Sequence, residues 1–259
     1  DREMIQLELT PARAVLERGT KAGNPRLQLG ALSAFADLAE LLGKWDEVAD
    51  WAQRMCVVAQ SCGARPRVGQ AFYRLGKSAA RSNAWTEAQG WIDQALAIHR
   101  ADGDRISEAR CLRMLGEVQL AQGDVLAARG LLSQASTAFE ALDQRATAGV
   151  AAARAALCMV RLGQPKEALS AVDKLLLQLG PDAKADESPA IDLMWSCQQV
   201  LAAVGDPRAG PMLEQLHADV QAKAAQRTDA TDRERLIQAI PDFRDIVAAW
   251  SAMAATRSA

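Results

Sequence analysis

Aromatic residues are scarce in this chain, at 4% of 259 residues with a single tyrosine, and runs of β-branched residues are few. Sheets are thereby denied the side chains that pack best on a pleated surface. Much of the 49% hydrophobic content is Ala and Leu, which suits helices packed closely on one another. No run of about 18 apolar residues occurs, so no membrane partner is expected. An excess of one charge is also missing: 30 basic and 32 acidic residues are scattered along the chain, for a formal charge of −2. A surface for direct nucleic-acid binding would carry a basic excess, and none is expected here. The two histidines, His99 and His217, stand far apart, and the five cysteines show no C-x-x-C spacing. No metal site and no cofactor are expected. Cysteines placed singly in apolar helical stretches read as small buried hydrophobes in a reducing, cytoplasmic compartment. The opening "DREMIQLELT" has neither a signal pattern nor an initiator Met, which suggests an excised piece of a longer protein.

What the chain does have is a ruler. Helix breakers recur at Gly43, Asn83, Gly123 and Gly163, in steps of 40, and a second series runs Gly23, Gly63, Gly103 and Asp143. Glycine, and after it asparagine, suits the left-handed residue that ends many helices. Two stops per period predict two helices per unit. Each helix then spans about 16 to 20 residues, or about 25 to 30 Å. Small residues keep the same beat: Ala36, Gly76, Gly116 and Ala156 before the turn, then Val48, Ala88, Ala128 and Ala168 after it, then Met55, Ala95, Ala135 and Leu175. Such offsets place small side chains on the facing surfaces of antiparallel helices, so that backbones approach and larger neighbours interlock. Two residues beyond each stop come Trp45, Trp85, Val125 and Pro165, predicted to start second helices, with Asp124 as a cap and Asp46, Glu47, Glu87 and Glu167 in first turns.

The segments "AELLGKWDEVADWAQRM", "ARSNAWTEAQGWIDQAL", "LAQGDVLAARGLLSQAS" and "VRLGQPKEALSAVDKLL" carry this pattern. A small residue in the first helix, a Gly-x-aromatic turn and two small residues in the second resemble the tetratricopeptide repeat (TPR) family. The resemblance implies an all-α, right-handed α-α superhelical solenoid of TPR-like helical hairpins with a C-terminal helical cap. It divides the chain into the second helix of an upstream repeat at 1–22, four repeats of 40 residues at 23–182, a degenerate fifth at 183–226 and capping helices at 227–259. In the first of these, Thr10 reads as a cap and Pro11 as the first helical residue. In the fifth, Gln198 stands where a small residue is expected, and "GPDAKADESPA" at 180–190 makes a longer polar connection. The tail sets Leu236, Ile237, Ile240, Phe243, Ile246, Val247 and Trp250 at helical spacing around Pro241. Terminal repeats need such a cover for an otherwise bare apolar face. The tail and the Gly205-Asp206-Pro207-Arg208-Ala209 turn are also similar to the closing segment of large bacterial signalling and transcriptional regulators that join an ATPase module to C-terminal repeats.

In such solenoids the first helix of each pair lines a binding groove. The groove-facing stripe reads Ser33, Asp37 and Glu40, then Gln70, Tyr73, Lys77 and Arg81, then Arg110, Arg113 and Glu117, then Ala153, Leu157 and Val160, and last Asp192, Trp195 and Gln199. Lys77, Arg81, Arg110 and Arg113 could hold a carboxylate or phosphate through charge-assisted bonds, with Tyr73 as a flat contact. As ordinary surface charges they would instead pair with Glu117 and Asp37. The other tryptophans repeat at the turns and read as packing, which leaves Trp195 as the aromatic groove candidate. Gly76-Lys77-Ser78 ends like a P-loop, but Ala71 occupies the position of the required glycine and "RPRVGQAF" does not read as a strand. No nucleophile, carboxylate pair or metal-spaced cluster appears, so a non-enzymatic module is expected. Its expected partner is a protein or peptide, including other domains of its own parent chain, with self-association open to an excised fragment. The alternative is a sensor that binds a small anionic metabolite or peptide and switches an attached effector.

Overall fold

The computed structural model describes residues 2–179, 188–227 and 229–258, and among these all regular structure is α-helical, in thirteen helices. The chain divides into two compact units, residues 1–118 and 119–259. Unit 1 contains α1 (Arg2–Lys21), α2 (Pro25–Leu41), α3 (Trp45–Ser61), α4 (Arg65–Arg81), α5 (Trp85–Asp102) and most of α6 (Arg105–Gln122). Unit 2 contains α7 (Val125–Ala141), α8 (Arg145–Arg161), α9 (Pro165–Leu179), α10 (Ser188–Val204), α11 (Ala209–Ala225), α12 (Ala230–Ala239) and α13 (Pro241–Ser258).

The turns explain the periodicity. Positive φ occurs at Gly23, Gly43, Gly63, Gly103, Gly123, Gly163 and Gly205, and at two other residues, Asn83 (59°) and Asp143 (56°). At each stop the amide one residue further on donates back to the carbonyl five positions before it: Lys44 to Ala39, Ala84 to Ala79, Asp124 to Gln119 and Gln164 to Met159, each at 2.9 Å. This is the Schellman closure, which satisfies carbonyls that a helix end leaves open. Asn and Asp tolerate the left-handed conformation better than other side chains, so the beat survives at 83 and 143 without glycine. Second helices then start at Trp45, Trp85, Val125 and Pro165, and the Asp124 carboxylate accepts from the Ala127 amide.

Small residues keep the hairpins close. Ala36, Ala156, Val48, Ala88, Ala128, Ala168, Met55, Ala95 and Ala135 are all fully buried, while Leu175 lies half-buried against the core of unit 2. Gly76 sits against α5, where an added β-carbon would lie 2.5 Å from Ile92 Cδ1 and 3.1 Å from the Ala88 carbonyl. The glycine therefore gives up about 1 kcal/mol of helix propensity for close approach. A buried His99 packs the same way on Gly69, 2.9 Å from where a β-carbon would stand.

Two local expectations, at α1 and at Cys62, need correction. α1 runs from Arg2 through Pro11, without a start at Thr10. Residues 2–9 are mostly strong helix formers, and proline disturbs one turn without stopping the helix. Cys62 is exposed, unlike the buried Cys56, Cys111, Cys158 and Cys197, because it follows the last helical residue of α3 and leaves the packed face there. α11 begins four residues after its stop Gly205, whereas α9 begins two after Gly163. In this looser fifth hairpin the buried Gln198 reaches the Ala209 carbonyl at 3.4 Å, filling the place of a small residue with a satisfied polar one. Residues 180–187 of the expected polar connection lie outside the described residues.

The tail packs on the fifth hairpin. Phe243 and Ile246 of α13 and Ile237 of α12 join Ile191 and Trp195 of α10 and Leu213, Leu216 and Val220 of α11 in one buried cluster. His217 of α11 stacks on the Trp250 ring with centroids 4.0 Å apart and planes at 4°.

Two predictions follow from this packing. Gly90 on α5 has nothing within 4 Å of an added β-carbon. Gly90→Ala should therefore stabilise by about 0.5–1 kcal/mol in chemical denaturation, while Gly76→Ala, with the same propensity gain but an overpacked Ile92, should destabilise by about 1–2 kcal/mol. His217 is the pH-sensitive contact, since burial lowers its pKa from the ordinary 6.5. The unfolded chain then takes the proton first, so stability is full above pH 6.5 and falls as pH drops below it. Melting curves from pH 7.5 to 5 should show this loss, and His217→Phe, which keeps a ring against Trp250, should flatten it.

Candidate partner-binding face

The candidate face in unit 1 is built by first helices α2, α4 and α6. Helical spacing brings Ser33, Asp37 and Glu40 of α2 opposite Arg74 and Lys77 of α4. Arg74 is the hub: its guanidinium lies 2.7 Å from Asp37 Oδ1 and 3.2 Å from Glu40 Oε1, and donates to Ser33 Oγ at 3.2 Å. Lys77 Nζ takes the other Glu40 oxygen at 2.6 Å. Arg74 keeps only 13% of its side-chain surface in solvent, and Glu40 and Lys77 keep 21% and 24%. The two pairs on Glu40 lie deeper than typical surface ion pairs, whose contribution solvent screening reduces to about 0–1 kcal/mol, while the Asp37 carboxylate stays exposed. The arrangement fixes the direction of each charge, which is the property recognition needs.

The expected cations do not form one free cluster. Lys77 is engaged by Glu40, and its ammonium also lies 5.5 Å from the Trp45 ring centroid. Arg81 is exposed and rests over the same ring at 5.2 Å. Arg113 pairs with Glu117 within α6 at 2.6 Å. Arg110 is exposed beside Tyr73. Burial raises the Tyr73 pKa, Arg113 and Arg110 lower it, and Glu117 and Cys111 raise it; the net shift is upward. The phenol therefore stays protonated near neutrality and can donate a hydrogen bond. Tyr73, Arg110, Arg113 and Glu117 thus form a second polar group between α4 and α6, beside the Arg74 network. Arg74 went unnoticed in the sequence, although it lies one residue after Tyr73 and three before Lys77.

Trp195 corrects the groove expectation. It is buried, at 7% exposure, under the cluster that contains Phe243 and Ile246, because the tail returns over α10. The P-loop resemblance finds no cradle: α4 passes through residues 76–78 as continuous helix, so the amides a phosphate would need are committed to it. Ser78 is buried and donates to the Trp45 carbonyl at 2.8 Å. Among the described residues, no group of three or more His, Cys, Asp or Glu is arranged to hold a metal, and no helix is long and apolar enough to cross a membrane.

Residues 67–141 match the sequence signature of the tetratricopeptide repeat family. The regulatory protein AfsR of Streptomyces griseus is 32% identical over 114 residues, which is 44% of this chain but 12% of that protein's length. The fold is similar to that of BtubC (BKLC) from P. vanneervenii, with a TM-score of 0.65 over 87% of this chain and 94% of the other at 14% identity. It is also similar to that of NprR, solved in complex with its cognate peptide NprX, with a TM-score of 0.55 over 91% of this chain and 71% of the other at 14% identity. The forty-residue hairpins, closed by left-handed turns and packed through rows of small residues, thus carry a tetratricopeptide-repeat signature over residues 67–141 and build an all-α fold of TPR-like helical hairpins.

Proposed function

We propose that this chain is a non-enzymatic interaction module of a bacterial signalling or transcriptional regulator, and that the α2/α4/α6 face of unit 1 takes up a segment of a partner protein or of another domain of the parent chain. The observation that carries this reading is the oriented polar network on first helices, with Arg74 as hub and Tyr73, Arg110 and Arg113 beside it. A peptide that supplies a carboxylate to the exposed Arg110, and an acceptor to the Tyr73 hydroxyl, would meet these groups beside the Arg113–Glu117 pair without breaking it. Little side-chain ordering would remain to oppose binding. The AfsR likeness supports a regulatory setting, and NprR supports a peptide as the class of ligand.

Binding of a small anionic metabolite is the weaker reading. Lys77 and Arg113 are already neutralised by Glu40 and Glu117, so a small anion would have to displace a carboxylate bonded at 2.6 Å. A longer segment can bind around these pairs.

A random peptide library displayed against the chain tests the proposal. Peptides with acidic residues should be enriched, and Arg110→Ala/Arg113→Ala should weaken them roughly tenfold or more, as expected for losing charge-assisted hydrogen bonds. Enrichment indifferent to that double substitution would remove the face from consideration. Thermal stabilisation by millimolar citrate or phosphate, lost in Arg113→Ala, would transfer the site to the sensor reading.

A further inference from the structure

A second face, in unit 2, is already occupied by the chain itself. Arg154 of α8 stands two periods of 40 after Arg74, at the same place on a first helix. Arg74 receives the carboxylates of Asp37 and Glu40 from the first helix α2. Arg154 meets Asp242 in the first turn of α13, with Nη2 3.7 Å from Oδ2 and both side chains about a quarter exposed. The next residue, Phe243, is buried at 1% exposure with Ile246 at 0%, in the cluster that also closes over Trp195. Val247, Trp250 and Met253 continue the contact, while Arg244, Asp245, Ala248, Ser251 and Ala252 face solvent. α13 is therefore an amphipathic helix laid on α10 and α11 with an acidic residue at its start reaching α8. A single extended residue, Ile240, separates it from α12.

This is how one helix recognises a groove: aromatic and aliphatic anchors on one stripe, with a charge fixing the register. A helix continuing the array would follow the forty-residue pattern of small residues and stops, which α13 does not. It carries a ligand's pattern instead.

We propose that the α8/α10/α11 face is a binding site for an amphipathic helix of a partner protein bearing an acidic-aromatic-x-x-aliphatic sequence, and that α13 is its built-in occupant, displaced when the partner helix binds. The proposal is independent of the reading of unit 1. Because only the fraction of molecules with α13 released can bind, the apparent affinity is reduced by that fraction. Loosening α13 should therefore reveal the site.

The probe is a fluorescein-labelled synthetic peptide of residues 241–258, titrated into the full chain and followed by anisotropy. It should bind the Phe243→Ala/Ile246→Ala chain about tenfold or more tightly than the unaltered chain. Adding Arg154→Ala to the loosened chain should weaken the peptide again, and a peptide carrying the same two alanines should not bind. Equal binding to the loosened and unaltered chains, or no binding to a loosened chain that keeps its helical circular dichroism, would overturn the proposal. Hydrogen exchange on the unaltered chain decides the matter even where the variant fails to fold. Amides of α13 should exchange well before those of α10 and α11, whereas exchange together with them would make α13 an integral part of the fold. A dimer that trades α13 between copies would likewise overturn the assignment, by making a second copy the occupant.

Discussion

The left-handed residue at each helix end is the constraint on which this structure depends. Its positive φ turns the chain and lets the next amide close the helix behind it, as Lys44 does on Ala39 and Gln164 on Met159. Once such a turn comes every 20 residues, helix length is set and each pair must lie antiparallel. The remaining question is only how close the helices can come, and the buried alanines and Gly76 answer it. Packing, capping and turn chemistry thus agree on one register, which is the local consistency that makes a repeat sequence foldable.

That agreement is why so much of the fold was legible. A glycine every 40 residues can have several causes, but glycine alternating with Asn83 and Asp143 at the same beat points to a required backbone conformation. The rows of small residues were equally readable, because a helix surface has a fixed period and adjacent units repeat it. Legibility failed where one residue's outcome depends on something outside the period. Pro11 looked like a helix start, yet α1 passes through it because its flanks favour helix. Cys62 looked like its buried counterparts, yet it falls one place past the helix end.

The candidate faces were harder to read, for a related reason. Spacing identified which residues lie on first helices, including Tyr73, Lys77, Arg110 and Arg113, but it cannot report which charges meet. Arg74 was missed because its importance lies in α2, at Asp37 and Glu40, more than thirty residues upstream. The ruler did contain a signal: arginine recurs at 74 and 154 on the inner side of a first helix, where alanine or methionine stands at 34 and 114. A long cation repeated at a position otherwise given to apolar residues calls for a carboxylate in each place.

Trp195 carries the same lesson further. From spacing it belonged to an open face, and in the structure it is covered, because α13 returns across helices that precede it in the chain. A periodic sequence encodes contacts between neighbours in the series and is silent about an aperiodic segment that folds back on them. Arg154, about a quarter exposed, takes Asp242 as a partner for its charge, and α10 presents Ile191 and Trp195, which would otherwise face water. Asp242, Phe243 and Ile246 meet these needs together from one helical stripe. The two first-helix faces therefore differ in kind: α2 and α4 balance their charges between array helices, whereas α8 and α10 are completed from outside the array. A surface whose charge and apolar demands are met by an added helix has the chemistry of a binding site, whether that helix is its own or another's.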